Sequence, residues 1–375
     1  MSDAPSAGAA AIDAPALRAT WRALCEVPAP TGAEGARGDA VADELRRVGL
    51  APRRDRVGNV LVELPGGVPG APRTALVAHL DTVFGPDVDV RVRETDAGHW
   101  AAPGIGDNAA SVAALVHLAG RAVAGLAPAH PPLLLAFTVG EEGLGNLRGA
   151  RALVEDEGAG IDLFLAIDGH LGSVVDAGVG SWRARMAFTA KGGHAWGDFP
   201  SPSAVHALGD AVHAVTRLPL PDAPRSTVNV GQVAGGRGVN AIAETAEATL
   251  EVRSVDDAVL DRLRAEAEKR IRSVARRHDV GAEVTELGHR PAGRSDDGRW
   301  ARLATAVLRE RGLEARTGAS STDANAAMAA GIPALCLGVY RGGDAHRESE
   351  WADPSSLADG LAALEALLER IADGA

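Results

Sequence analysis

Three short apolar runs in this chain stop abruptly at acids or histidine, and helical spacing separates them. Leu133 to Val139 is continuously apolar, preceded by Pro131-Pro132 and closed by Gly140, a pattern that predicts a buried strand. Thr74 to Thr82 is apolar until it delivers His79 and Asp81, and Ile161 to Ile167 ends in Asp168. Val57 to Leu64 and Ile332 to Gly338 read as further strands. Helical periodicity is visible in Ala16 to Val27, Gly35 to Val48, Val112 to Ala124, Asn146 to Glu157, Trp300 to Arg311 and Leu357 to Ala372. A Thr31-x-x-Glu34 capping-box pattern precedes the second helix, and residues 1 to about 13 look like a frayed lead-in. This alternation is that of an α/β domain, in which ligands sit at the carboxyl ends of the strands.

Between residues 180 and 290 the texture changes. Ser181 to Ala190 alternates as a strand, Ser203 to Val215 is helical, and Ser226 to Ala234 and Ala246 to Arg253 are strands. Val259 to His278 is a long helix, with Gly281 to Leu287 a final strand. That order predicts an inserted ferredoxin-like α+β domain at 180–290, interrupting a domain built from 1–179 and 291–375. The Arg-rich stretch Arg262 to Arg277 reads as the solvated face of the long helix.

Composition narrows the function classes. The chain has 375 residues, enough for two cores, and its net charge of −12 opposes binding to nucleic acid or anionic membranes. Its two cysteines, Cys25 and Cys336, have neither disulfide-framework nor metal-ligand spacing. With no signal-like or membrane-spanning run, a cytoplasmic location is expected.

Each acidic strand end has an ordinary explanation when taken alone. Glu141-Glu142 between glycines is what a solvated turn looks like, His79-x-Asp81 could be a surface pair, and Asp107 could simply cap the following helix. The recurrence is harder to assign to turns. His79, Asp107, Glu142, Asp168 and His346 are two imidazoles and three carboxylates, a set suited to two zinc ions sharing one carboxylate. Asp81 is placed to orient His79, and Glu141, beside a ligand, to act as general base.

These residues and their spacing resemble the co-catalytic zinc exopeptidase family that includes peptidase T, carboxypeptidase G and the aminoacylases. The likeness runs along nearly the whole chain through His79-Leu80-Asp81, Gly106-Asp107-Asn108, Gly140-Glu141-Glu142-Gly143, Asp168-Gly169 and His346. It implies a catalytic domain with a mixed central sheet flanked by helices, interrupted by a lid and dimerisation domain. It implies a metal-bridging role for Asp107, zinc ligation by His79, Glu142, Asp168 and His346, and catalysis by Glu141 with Asp81 in support. Two Zn2+ are the implied cofactors, with Co2+ or Mn2+ as substitutes. Lys191-Gly-Gly-His194 resembles the lid histidine motif, Asn240 and Arg253 the substrate-holding pair, and Asp323 the loop near the substrate terminus. Ala243 stands where many members have proline.

Asp at position 168 is associated in that family with aminopeptidase-like members, so cleavage of short peptides by an aminopeptidase, tripeptidase or dipeptidase is expected, from a homodimer formed through the inserted domain. An N-acyl amino acid deacylase on the same site is the nearest rival, although the cysteine-containing motif of some deacylases is missing. A catalytically inactive scaffold is the alternative from another class. His170 is a candidate support for Asp168, and the remaining histidines carry no partner pattern.

Overall fold

A computed structural model describes residues 10–64, 67–294 and 298–374; residues 1–9 of the expected lead-in lie outside them. The described chain divides into two compact units, one ending at Ala177 and resuming at Arg294, the other Gly178–Gly293, against the expected bounds of 180 and 290.

The first unit is built on a mixed sheet flanked by helices. Its central strands lie in the order Val60–Leu64, Leu133–Thr138, Thr74–His79, Leu163–Leu171, Ala334–Gly338. The last four are mutually parallel, and Val60–Leu64 joins antiparallel at one side. Their apolar runs are continuous because both faces are covered. Leu133, Leu135 and Phe137 join the core formed with helices Ala14–Cys25, Ala109–Val123 and Ser356–Ala372, whereas Leu134 and Ala136 join the core beneath Arg148–Glu157 and Ala324–Ala329. Parallel pairing brings the carboxyl ends of these strands to one edge, with His79 opposite Thr138.

Several element ends differ from the sequence-based expectation, each for a local reason. The Thr31–Glu34 capping box does not form: Glu34 has no side-chain cap bond, and Thr31 instead donates its hydroxyl to Asp81 at 3.0 Å. The first strand begins at Val60 rather than Val57, since the Asp55 carboxylate gathers the amides of Val57, Gly58 and Asn59 into a turn at 2.9–3.0 Å. The helix expected from Asn146 starts at Arg148, because Asn146 and Leu147 are left-handed, with φ of 59° and 58°. A two-residue strand pair, Trp351–Ala352 with Trp100–Ala101, belongs to a small separate sheet that periodicity could not reveal. That sheet also holds Gly342–Gly343, so residues 344–350 form the tip of a hairpin.

The second unit has the order β-α-β-β-α-β. Its four antiparallel strands lie in the order Ser226–Gly235, Thr245–Ser254, Gly180–Thr189, Gly281–Arg290. Helices Ala204–Val215 and Asp257–His278 pack against it, and alternate residues such as Trp182, Met186, Phe188, Leu250 and Val252 make the core. Much of the Arg-rich face is ion-paired along its own helix, as in Arg270–Glu266 at 2.9 Å and Arg272–Glu268 at 2.7 Å. Among the described residues no helix is long and apolar enough to cross a membrane.

Candidate metal centre

His79 closes its strand with only 2% exposure. Its Nδ1 meets the backbone oxygen of Asp81 at 3.0 Å, while the Asp81 carboxylate lies at 3.6 Å. The ring thus meets both the carbonyl and the carboxylate of Asp81, and the carboxylate has further partners. Asp81 accepts the amides of Glu141 and Glu142, both at 2.9 Å, as well as the Thr31 hydroxyl. Asp81 thus holds the Glu141–Glu142 turn against the His79 segment. A buried guanidinium supports that segment too: Arg37 donates to Leu80, Val27 and Cys25 carbonyls at 2.8–3.2 Å.

The turn after Leu133–Thr138 is tight. Gly140 has φ 67°, and a Cβ at Gly145 would come within 2.6 Å of the Gly140 backbone, so both glycines are required by the close approach. Glu141 and Glu142 are both buried. They are not a solvated turn.

Asp107 precedes the helix without capping it; Asn108 occupies the cap position, and its amide group donates to the Ile167 carbonyl at 2.9 Å. That bond ties the Asp107 segment to the strand carrying Asp168. The Asp107 carboxylate faces two imidazoles at once. Oδ1 lies 3.1 Å from His79 Nε2, and Oδ2 lies 3.0 Å from His346 Nε2. His346 sits at the hairpin tip with φ 66°, and its Nε2 also meets Glu142 Oε1 at 2.9 Å.

The donor set fits metal. Ligand atoms of His79, Asp107 and Asp168, and likewise of Asp107, Glu142 and His346, fall within 4.8 Å of one another; His79, Glu141 and Glu142 form a third such set. Two ligands held about 2.0–2.1 Å from a tetrahedral ion lie roughly 3.3 Å apart, close to the spacings seen here. The charge balance points the same way. Hydrogen bonds to Asp107 and Glu142 push the His346 imidazole up to about 11. Burial disfavours the charged form of His79, yet its bonds to Asp107 and Asp81 raise it well above the ordinary histidine range. Burial also works against the Asp107 carboxylate, but bonds from His346 and His79 hold it low. Burial, reinforced by Asp107, pushes Asp168 up to about 7. The site concentrates negative charge and draws protons where it lacks cations.

Below about 11 the metal-free His346 keeps its proton, and below about 7 so does Asp168. Ligation requires both deprotonated, so zinc affinity should rise with pH and binding should release protons. Calorimetric titration near neutral pH in buffers of different ionisation enthalpy should show net release of at least about one proton. Heats independent of the buffer would contradict this.

The other expected site residues are placed as follows. Asp323 is buried and accepts the Thr138 hydroxyl at 2.5 Å, at the strand end where Thr138 stands opposite His79. His170 is exposed and lies against the Tyr340 ring at 5.1 Å. Within the second unit, His194 and Asn240 sit on adjoining paired segments, His194 opposite Ala241. His194 Nδ1 accepts the amides of Trp196 and Gly197 at 3.2 and 3.3 Å, which leaves the ring proton of the neutral imidazole on Nε2. Arg253 is already paired bidentately with Glu251 at 2.8 and 2.9 Å. Ala243, at the position of the family's proline, is buried and receives the Ala204 amide at its carbonyl, anchoring the start of a helix. Arg37 and Glu350 have no motif signal, and only the folded geometry finds them.

A family model described as Peptidase family M20/M25/M40 matches residues 75–370. A curated relative from Paracoccidioides brasiliensis (strain Pb18), named "Probable carboxypeptidase", is 28% identical over 320 residues, covering 73% of this chain and 66% of its own length. The chain therefore spans slightly less than two thirds of that relative. A tripeptidase structure from Staphylococcus aureus superposes with a TM-score of 0.84 at 23% identity, covering 97% of this chain and all (100%) of that one. Aminopeptidase PepT from Bacillus cereus gives 0.79 at 23%, covering 96% and 99%. A Bacillus subtilis protein described as a dinuclear metal binding peptidase gives 0.69 at 16%, covering 96% and 98%. These likenesses establish a shared fold.

Proposed function

The chain belongs to peptidase family M20/M25/M40, and from that membership we propose that it is a two-metal exopeptidase of aminopeptidase, tripeptidase or dipeptidase type acting on short peptides. As a member it is a metal-dependent peptidase or amidohydrolase. The observation that carries the finer reading is Asp107, whose two oxygens each address a different imidazole. In this reading His79 and Asp168 would hold one ion and Glu142 and His346 the other, with Asp107 offering an oxygen to each. Zinc is the proposed metal, with Co2+ or Mn2+ able to replace it.

When bound, paired ions of this kind polarise an amide carbonyl and acidify water. The protein's own groups do the rest. Glu141 takes a proton from the attacking water and returns it to the leaving amine, while Asp81 fixes the Glu141 backbone through its amide. His194, with its proton on Nε2, is a donor suited to a carbonyl oxygen, and Asn240 is a substrate-binding side chain. Arg253 donates through Nε and Nη2 to Glu251, which leaves its Nη1 edge as the part that could receive a substrate carboxylate. Asp323 acts through Thr138. A homodimer through the second unit is supported by the strand Ser226–Gly235, which lies at a sheet edge and exposes Val233.

The name of the Paracoccidioides relative favours a second reading, cleavage from the carboxyl end. A zinc-replete screen of di- and tripeptides with free and blocked ends, alongside N-acyl amino acids, separates these. Turnover that needs a free amino end supports the proposal. Turnover that needs only a free carboxyl end supports the second reading, and turnover of the acylated set alone makes the protein a deacylase.

A further inference from the structure

One side chain joins the Asp107 segment to the hairpin that carries His346. Glu350, 1% exposed, closes the tip segment of that hairpin, just before Trp351–Ala352. Its Oε2 accepts the Gly104 amide at 2.9 Å, and its Oε1 accepts those of Gly106 and Asp107 at 2.8 and 2.9 Å. Its backbone connects the same two segments, since the Ala102 amide donates to Glu350 O at 3.1 Å, while within the hairpin the Glu350 amide donates to Arg347 O at 3.0 Å. On another side of the segment lies Tyr340, so close that a Cβ on Gly106 would come within 2.3 Å of its ring. The residues leading into Asp107 are thus clamped between a carboxylate and an aromatic ring.

We infer that Glu350 is a positioning residue for the metal pair, fixing the place of Asp107 relative to His346 through backbone amides without ligating metal itself. This rests on the two-metal reading. The carboxylate is matched to its task because both oxygens accept and all its side-chain partners donate. Glutamine in its place keeps the shape but turns one acceptor into an NH2 donor facing an amide N–H, so at least one amide loses its partner and the segment must shift. Loss of supports that orient ligands from behind typically costs about 10–100-fold in metal affinity.

A purely structural clamp would behave differently: its loss would lower stability but leave the zinc affinity of the folded protein unchanged. Glu365, paired with Arg121 at 2.7 Å deep in the same unit, supplies that comparison. The test is calorimetric zinc titration of the metal-free full chain as wild type, Glu350→Gln, Glu350→Asp and Glu365→Gln, each with its thermal midpoint. The inference expects about a 10–100-fold weaker zinc affinity in Glu350→Gln, a smaller loss in Glu350→Asp, and unchanged affinity in Glu365→Gln despite a lowered midpoint. Wild-type affinity in Glu350→Gln overturns it, and if that variant does not fold, wild-type affinity in Glu350→Asp overturns it equally. A wild-type chain that binds no zinc overturns the two-metal reading as well, so the two failures are distinguishable.

Discussion

Glu141→Gln is expected to lower kcat by about 10²–10⁴-fold, the range associated with losing a positioned proton carrier, while zinc content and thermal midpoint stay at wild-type values. The substitution keeps the side chain's size in a buried position and leaves the backbone bond to Asp81 intact, so the turn has no reason to reorganise. KM should change little. If kcat is retained, proton transfer is done by another group. If zinc is lost along with activity, Glu141 serves as a ligand, an arrangement that the close grouping of His79, Glu141 and Glu142 makes worth measuring.

Asp107→Asn should have a larger effect on metal than on fold. The amide removes the charge that faces both imidazoles and turns one of the two oxygens into a donor. Zinc capacity is expected to fall to one equivalent or less, and turnover by at least about 100-fold, the scale of losing one preorganised electrostatic contact. In the metal-free protein the same change removes the largest influence on His346, whose imidazole is pushed up to about 11 in the wild type. Its titration should therefore move down towards the ordinary histidine range, readable from ring proton shifts by NMR. An unmoved His346 would mean that Glu142 alone sets its charge.

The strand ends were legible because burial on both faces demands continuous apolar runs, so His79, Glu141, Glu142 and Asp168 stood out as interruptions. The role of Asp81 was only half legible. Its spacing from His79 predicts a carboxylate–imidazole contact, which stands at 3.6 Å, but spacing could not reveal that its backbone oxygen also meets the ring or that its carboxylate accepts the Glu141 and Glu142 amides. A threonine three residues before a glutamate looks the same whether its hydroxyl caps a helix or, as at Thr31, reaches a distant aspartate. Glu350 and Arg37 left no trace, since their partners are backbone groups and backbone groups have no sequence. Strands of two residues, such as Trp100–Ala101, are too short for any period to show, yet that small sheet shapes the hairpin that presents His346.

The proposed function requires Asp107 to lie between two metal ions. Anomalous diffraction at the zinc edge from crystals grown with zinc tests this directly. Two peaks roughly 3.5–4 Å apart, with Asp107 between them, His79 and Asp168 on one and Glu142 and His346 on the other, are the predicted result. A single peak, or a pair that Asp107 does not bridge, would contradict it.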